Sequence, residues 1–171
     1  AGEELDWQTQ GSVSGSIIQQ SIPAGYDVVT LYDTSASKWT TQQMIDLLNS
    51  SPNLVEHLGH SNDTCNARLS LADVAGLTNS EYYFMYSQGC DAGSFDTEDV
   101  AIGEAQVVSE HGAVAVIMNS RYGWYVPGNT PGASHNFAAS FWDGVLNQGI
   151  LHLGQANQYA KDANRFRVQS T

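Results

Sequence analysis

The chain has 171 residues, 42% hydrophobic and 10% aromatic, which suits one packed domain and argues against intrinsic disorder. Six Lys and Arg against eighteen Asp and Glu give a formal charge of −12, a surface that repels phosphate backbones and excludes a nucleic-acid partner. No apolar run reaches the roughly 18–20 residues of a membrane span, and two cysteines are too few for a disulfide framework or, alone, a structural zinc site.

In chain order, residues 1–20 are polar, rich in Gly and Ser and without a clear period, and read as irregular. Tyr26–Tyr32 has the β-branched and aromatic content of a strand. Thr40 or Thr41 caps a helix to about Asn49, with Met44, Ile45, Leu47 and Leu48 apolar. Leu54–Leu58 is a second strand, ending at Gly59-His60. Ser70 or Asp73 opens a short helix with Leu71, Val74 and Leu77. Glu81–Ser87 is a third strand, ending at Gly89-Cys90. A helix near Val100–Ser109 follows, then a fourth strand, Gly112–Met118, whose apolar run suggests burial on both faces. Ser134–Leu146 and Leu153–Phe166 read as two more helices. Alternating strands and helices predict an α/β sandwich with a mostly parallel sheet and right-handed crossovers.

Ligands bind such sheets beyond the carboxyl ends of the strands. His60 and Cys90 stand at two of those ends, 30 positions apart (90 − 60), the length of one strand-helix-strand unit. Neighbouring strands lie about 4.8 Å apart, so the two side chains would face each other across one rim. A thiol is a weak nucleophile near neutrality, and a nearby imidazole can take its proton. A helix starting near Cys90 would activate it further. Gly59 and Gly89 allow sharp turns, and the N–H groups of Ser61 and Cys90 could form an oxyanion hole.

The other readings of these residues are structural. A lone cysteine or histidine at a strand end is commonly a packed residue, and a Cys65–Cys90 disulfide would abolish the nucleophile. His57 lies inside its strand on the face opposite His60 and reads as a packing residue. His111, His135 and His152 read as structural.

At these positions the sequence resembles the gingipain family of cysteine peptidases. The residues that carry the likeness are Gly59-His60-Ser61, Leu77-Thr78-Asn79 and Cys90-Asp-Ala-Gly-Ser-Phe95-Asp96. It continues through Gly103-Glu104-Ala105, the run from Gly112 to Ile117, and Ser120 with Trp124, covering roughly residues 25–147. The resemblance implies a single peptidase domain over residues 1–171, whole or truncated, with a caspase-like three-layer sandwich. It implies Cys90 as nucleophile, His60 as its proton partner and a thioester acyl-enzyme. Trp124 matches the lid of the substrate pocket, with Gly59, Gly89 and Ser120 as further substrate contacts, and Glu104 a structural glutamate. The family's acidic selector for Arg or Lys lies upstream, where Glu3, Glu4 and Asp6 are the acids. Ser61 replaces the family's usual small residue after the histidine.

The resemblance further implies a secreted or surface-bound bacterial protein, released from a longer precursor with additional domains, acting on protein or peptide substrates. No cofactor is required. Family members often bind a structural calcium ion, for which Asp96, Glu98 and Asp99 are the candidate oxygen ligands, though acids there better suit the start of a helix. Ala1-Gly-Glu-Glu shows no signal peptide, as in a mature or excised form. The rival function is a non-catalytic peptide- or surface-binding domain derived from such a peptidase.

Overall fold

A computed structural model describes residues 1–97, 99–128 and 132–168. Helices α1 (Gly11–Gln19) and α2 (Thr41–Asn49) precede strand β1 (Leu54–His57). The short strands β2 (Ser61–Asn62), β3 (Cys65–Asn66) and β4 (Leu69–Ser70) lead into α3 (Leu71–Ala75) and β5 (Tyr83–Ser87). The chain then forms α4 (Ile102–Val108), β6 (Ala113–Ile117), α5 (Ala133–Leu146) and α6 (Leu153–Val168).

The main sheet is parallel, in the order β1-β5-β6, so the two crossovers carry α3 and α4. All five residues of β5 are buried, which makes it the centre of the molecule. Its side chains alternate between two cores, as the period of a strand requires. Tyr83 and Met85 pack with Met44, Leu48, Val74 and Ile102 from α2, α3 and α4. Phe84 and Tyr86 pack with Ile18, Phe141, Trp142 and Ala156 from α1, α5 and α6. Helices therefore cover both faces, and the three-layer α/β sandwich is present. Phe141 lies 4.6 Å from Tyr86 and 5.7 Å from Phe84 between ring centroids. Such rings add about 0.5–1.5 kcal/mol each beyond their buried area.

Local chemistry accounts for the helix starts. Thr40 Oγ1 accepts from Gln43 N while Gln43 Oε1 accepts from Thr40 N, a reciprocal cap. Ser70 and Asp73 do the same for α3.

Three expectations fail. Residues 1–20 are not irregular: α1 occupies Gly11–Gln19, and Gly2 bridges both Tyr32 and Leu58 in parallel fashion. Tyr26–Tyr32 is not a strand beyond the isolated bridge of Tyr32 to Gly2. Strand β6 is not buried on both faces; it is an edge of the sheet as described, and Val114 is 64% exposed. The small antiparallel sheet β2-β3-β4 leaves no periodic signal in the sequence, since its strands are two residues each.

Glu56 on β1 lies beneath α5, where Trp142 Nε1 donates to its Oε2. The residue is only partly buried, yet Oε1 is sealed from solvent and without a partner among the described residues. It lines a cavity of about 150 Å³ shared with Ile18, Tyr26, Val28 and Trp142. Burial pushes its carboxyl up to about 8. The folded state thus holds this proton more tightly than the unfolded chain, and stability falls as pH rises from the ordinary glutamate range through about 8. Glu56→Gln keeps an acceptor for Trp142 and removes that loss. Its melting temperature should exceed the parent's by several degrees at about pH 9 and match it at about pH 4. A pH-independent difference in thermal melts would contradict this account.

Candidate active site

The register of β1 against β5 decides what meets at the carboxyl rim. His57 pairs with Ser87, so His60 and Cys90 each stand three residues past a matched pair (60 − 57 = 3; 90 − 87 = 3). Both line one cavity of about 60 Å³, together with Gly59, Trp124, Tyr125 and His135.

Backbone proximity at this rim requires the two glycines. A Cβ at Gly89 would lie 1.7 Å from Ser61 Oγ, and one at Gly59 would lie 2.4 Å from His57 Nε2. Ser61 Oγ instead donates to the Cys90 carbonyl at 2.9 Å, tying the two loops together. Asn119 Nδ2 donates to the carbonyls of Gln88 and Gly89 at 3.0 and 3.1 Å, fixing the β5 end from the β6 side. Asp91, just after Cys90, has φ 54°, a left-handed turn that Asp tolerates.

Cys90 is a free thiol of intermediate exposure, as is Cys65, so no disulfide joins them. The Gly123 N–H donates to Cys90 Sγ at 3.4 Å, and Sγ lies 3.9 Å from the Gly123 carbonyl. His60 is exposed, and its Nε2 is 3.2 Å from the Leu5 carbonyl. No helix begins at Cys90. Turns occupy the following residues and α4 starts only at Ile102, so a helix dipole does not act on the thiol.

Beneath the rim runs a buried polar chain. His57 Nε2 pairs with Glu3 Oε1 at 2.8 Å, and His57 Nδ1 with Ser87 Oγ at 2.9 Å. Ser87 Oγ donates to Asn66 Oδ1 at 2.7 Å and accepts from Gly89 N at 3.3 Å. Glu3 also meets Arg68, whose guanidinium stacks on Trp39 and pairs with Asp33. His57 is thus a packing residue in the sense expected, and it joins the chain start, β1, β5 and the small sheet.

The other expected residues divide. Trp124 lines the cavity while remaining 67% exposed, edge-on to Tyr122. Its backbone is clamped to α5: Trp124 N donates to Ser134 Oγ at 2.8 Å, and Ser134 N donates to the Trp124 carbonyl at 3.0 Å. Ser61, Gly89 and Ser120 are not among the residues lining the cavity. Glu104 accepts from Ala101 N at 2.9 Å, a structural role. Glu3 and Glu4 are engaged by His57 and Lys38; Asp6 is engaged by the N–H groups of Gln8 and Thr9 and by the side chain of Tyr125, which lines the cavity, so Asp6 adjoins the cavity without lining it.

Of the expected calcium ligands, Asp96 and Asp99 fall within the described residues. Both Asp96 oxygens are taken by Arg121, at 3.1 and 2.7 Å, which holds this carboxyl below the usual range. Asp99 is exposed, and Glu98 lies outside the described residues. Among the described residues, no three His, Cys, Asp or Glu side chains converge as metal ligands. Among the same described residues, no helix is long and apolar enough to cross a membrane.

His135, expected to be structural, also lines the cavity. Its position in the first turn of α5 carries no motif, and only the fold brings it to the cavity that Cys90 lines.

The family model described as peptidase family C25 matches residues 1–170. Among solved structures, one titled "Structure of Protease" aligns with 93% of this chain and 44% of its own, at 19% identity and a TM-score of 0.61. The "Complex of Porphyromonas gingivalis RgpB pro- and mature domains" aligns over 80% of this chain and 31% of its own, at 19% identity and a TM-score of 0.62. Both likenesses are of fold, the caspase-like sandwich, and the chain spans less than half the length of either. No curated protein matches the chain.

The contact at Gly89 has a direct consequence. Gly89→Ala forces Ser61 aside and should destabilise the protein by about 1–3 kcal/mol in urea denaturation. Gly154→Ala, in α6 with open space around it, should be neutral or stabilising by up to about 1 kcal/mol. Equal effects of the two would contradict the packing described.

Proposed function

Because the chain belongs to peptidase family C25, the gingipain family, we propose that it is a cysteine endopeptidase working through Cys90 and His60. The observation that carries the reading is the sharing of one cavity by these two side chains, each three residues beyond the same β1–β5 pair.

The following mechanism suits these contacts. The Leu5 carbonyl can only accept a hydrogen bond, so a neutral His60 ring carries its proton on Nε2 and keeps the Nδ1 lone pair. Nδ1 takes the thiol proton as Sγ bonds to the substrate carbonyl carbon. The oxyanion is met by the Cys90 and Ser61 N–H groups. The C–N bond breaks as His60 returns its proton to the leaving amine, and a thioester remains on Cys90. Water then attacks, passing a proton through His60; the carboxylic acid leaves and the thiol is restored.

Family membership also supports a secreted or surface location, and a longer precursor fits the pro- and mature domains of the solved complex. Cys90→Ala should abolish cleavage of a denatured protein substrate with no change in folding. His60→Ala should slow it by at least about 10²-fold, and Cys65→Ser should leave it intact. Cleavage by the Cys90→Ala protein at the parent rate would refute the assignment.

A further inference from the structure

His57 is fully buried beneath the rim, and its hydrogen bonds can be assigned one by one. The Met85 thioether has no proton to give, so Asn66 turns Nδ2 towards it at 3.2 Å and Oδ1 towards Ser87. Ser87 Oγ gives its one proton to that Oδ1 at 2.7 Å and accepts from Gly89 N at 3.3 Å. Towards His57 Nδ1, 2.9 Å away, it can only accept, so Nδ1 carries a proton. Nε2 lies 2.8 Å from Glu3 Oε1, where two bare lone pairs would repel, so a second proton lies between them. With that proton the charges of Glu3, His57, Arg68 and Asp33 sum to zero. Without it a net negative charge would stay in a site whose two carboxylates are both buried.

We infer that His57 is a positioning residue: a ring fixed at both nitrogens, which seats the loop of His60 on one side and the loop of Cys90 on the other. The inference deepens the Cys90–His60 reading and rests on it.

The two loops are seated differently. On the His60 side the contact is steric. The Gly59 backbone lies against the pair, so that a Cβ there would be 2.4 Å from His57 Nε2 and 2.7 Å from Glu3 Cδ. On the Cys90 side the link is a bond. The Nδ1–H fixes Ser87 Oγ, and Ser87 Oγ holds the Gly89 N–H. Without the ring proton Ser87 Oγ is free to turn, and Gly89 loses a fixed acceptor. The chain start, β1, β5 and the small sheet each supply one member of the network, so the ring cannot rotate without breaking bonds to other elements. Reacting groups must be held to within about 0.5 Å, and a misplacement of about 1 Å costs about 10²-fold in rate.

The test compares the full chain with His57→Gln, which offers one short amide in place of a ring fixed at both ends. Ser87→Ala cuts only the link to Gly89, and Ser87→Thr restores the hydroxyl. Hydrogen exchange, read by NMR, is followed at the Gly89 amide relative to that of Tyr86 on the same strand. His57→Gln and Ser87→Ala should each raise that ratio at least about tenfold, and Ser87→Thr should recover most of it. On the denatured protein substrate, both should lower kcat at least about tenfold with KM within about twofold of the parent. A residue that only stabilises the fold would speed exchange at both amides alike and leave kcat per folded molecule unchanged. Either of those results, or a raised KM at the parent kcat, would overturn the inference. If His57→Gln does not fold, the two Ser87 variants decide by the same criteria. Exchange loosened at Gly89 alone, in a parent that cleaves nothing, would keep the seat and remove the peptidase reading.

Discussion

The parallel pairing of β1 with β5 is the constraint from which the rest of the site follows. Parallel strands present their carboxyl ends on one side, and the pairing of His57 with Ser87 sets how far each chain runs before it turns. A slip of one residue would reverse the faces of β5 and send Tyr83 and Met85 into the wrong core. The register is therefore enforced by packing on both faces, and the rim inherits its geometry from cores that have no chemical role.

Polar contacts then convert that register into a fixed site. The Glu3–His57–Ser87–Asn66 chain crosses the sheet just below the rim and holds Gly89 N from beneath. Ser61 Oγ and Asn119 Nδ2 hold the carbonyls of Gln88, Gly89 and Cys90 from either side. Each bond is worth about 1 kcal/mol net, but a buried member left unpaired costs more, so the network tolerates little rearrangement. Catalytic geometry demands such rigidity more than it demands stability.

Much of this was legible in the sequence, for physical reasons. The α2 helix could be read from Thr40 and its apolar spacing because capping is local. Cys90 and His60 could be paired because strand-helix-strand units have a narrow range of lengths. The first twenty residues could not be read, because their order comes from tertiary contacts: Gly2 is held between Tyr32 and Leu58, and the sequence there has no period. The exposed edge of β6 was hidden because an apolar run does not reveal which neighbours a strand will have. The place of His135 in the cavity wall is hidden for a related reason: it depends on Gly132 occupying one ring nitrogen and on burial leaving the other without a partner among the described residues, neither of which is written in a motif.

The central claim is that the β1–β5 register gives Cys90 an imidazole and gives Cys65 none. Burial pushes the Cys65 thiol up, so it serves as an internal reference. The most direct measurement is the rate of iodoacetamide alkylation at each cysteine, resolved by mass spectrometry at about pH 6. Cys90 should react at least about tenfold faster than Cys65, and His60→Ala should remove most of that advantage. Equal rates at the two cysteines, or a fast Cys90 indifferent to His60, would contradict the account.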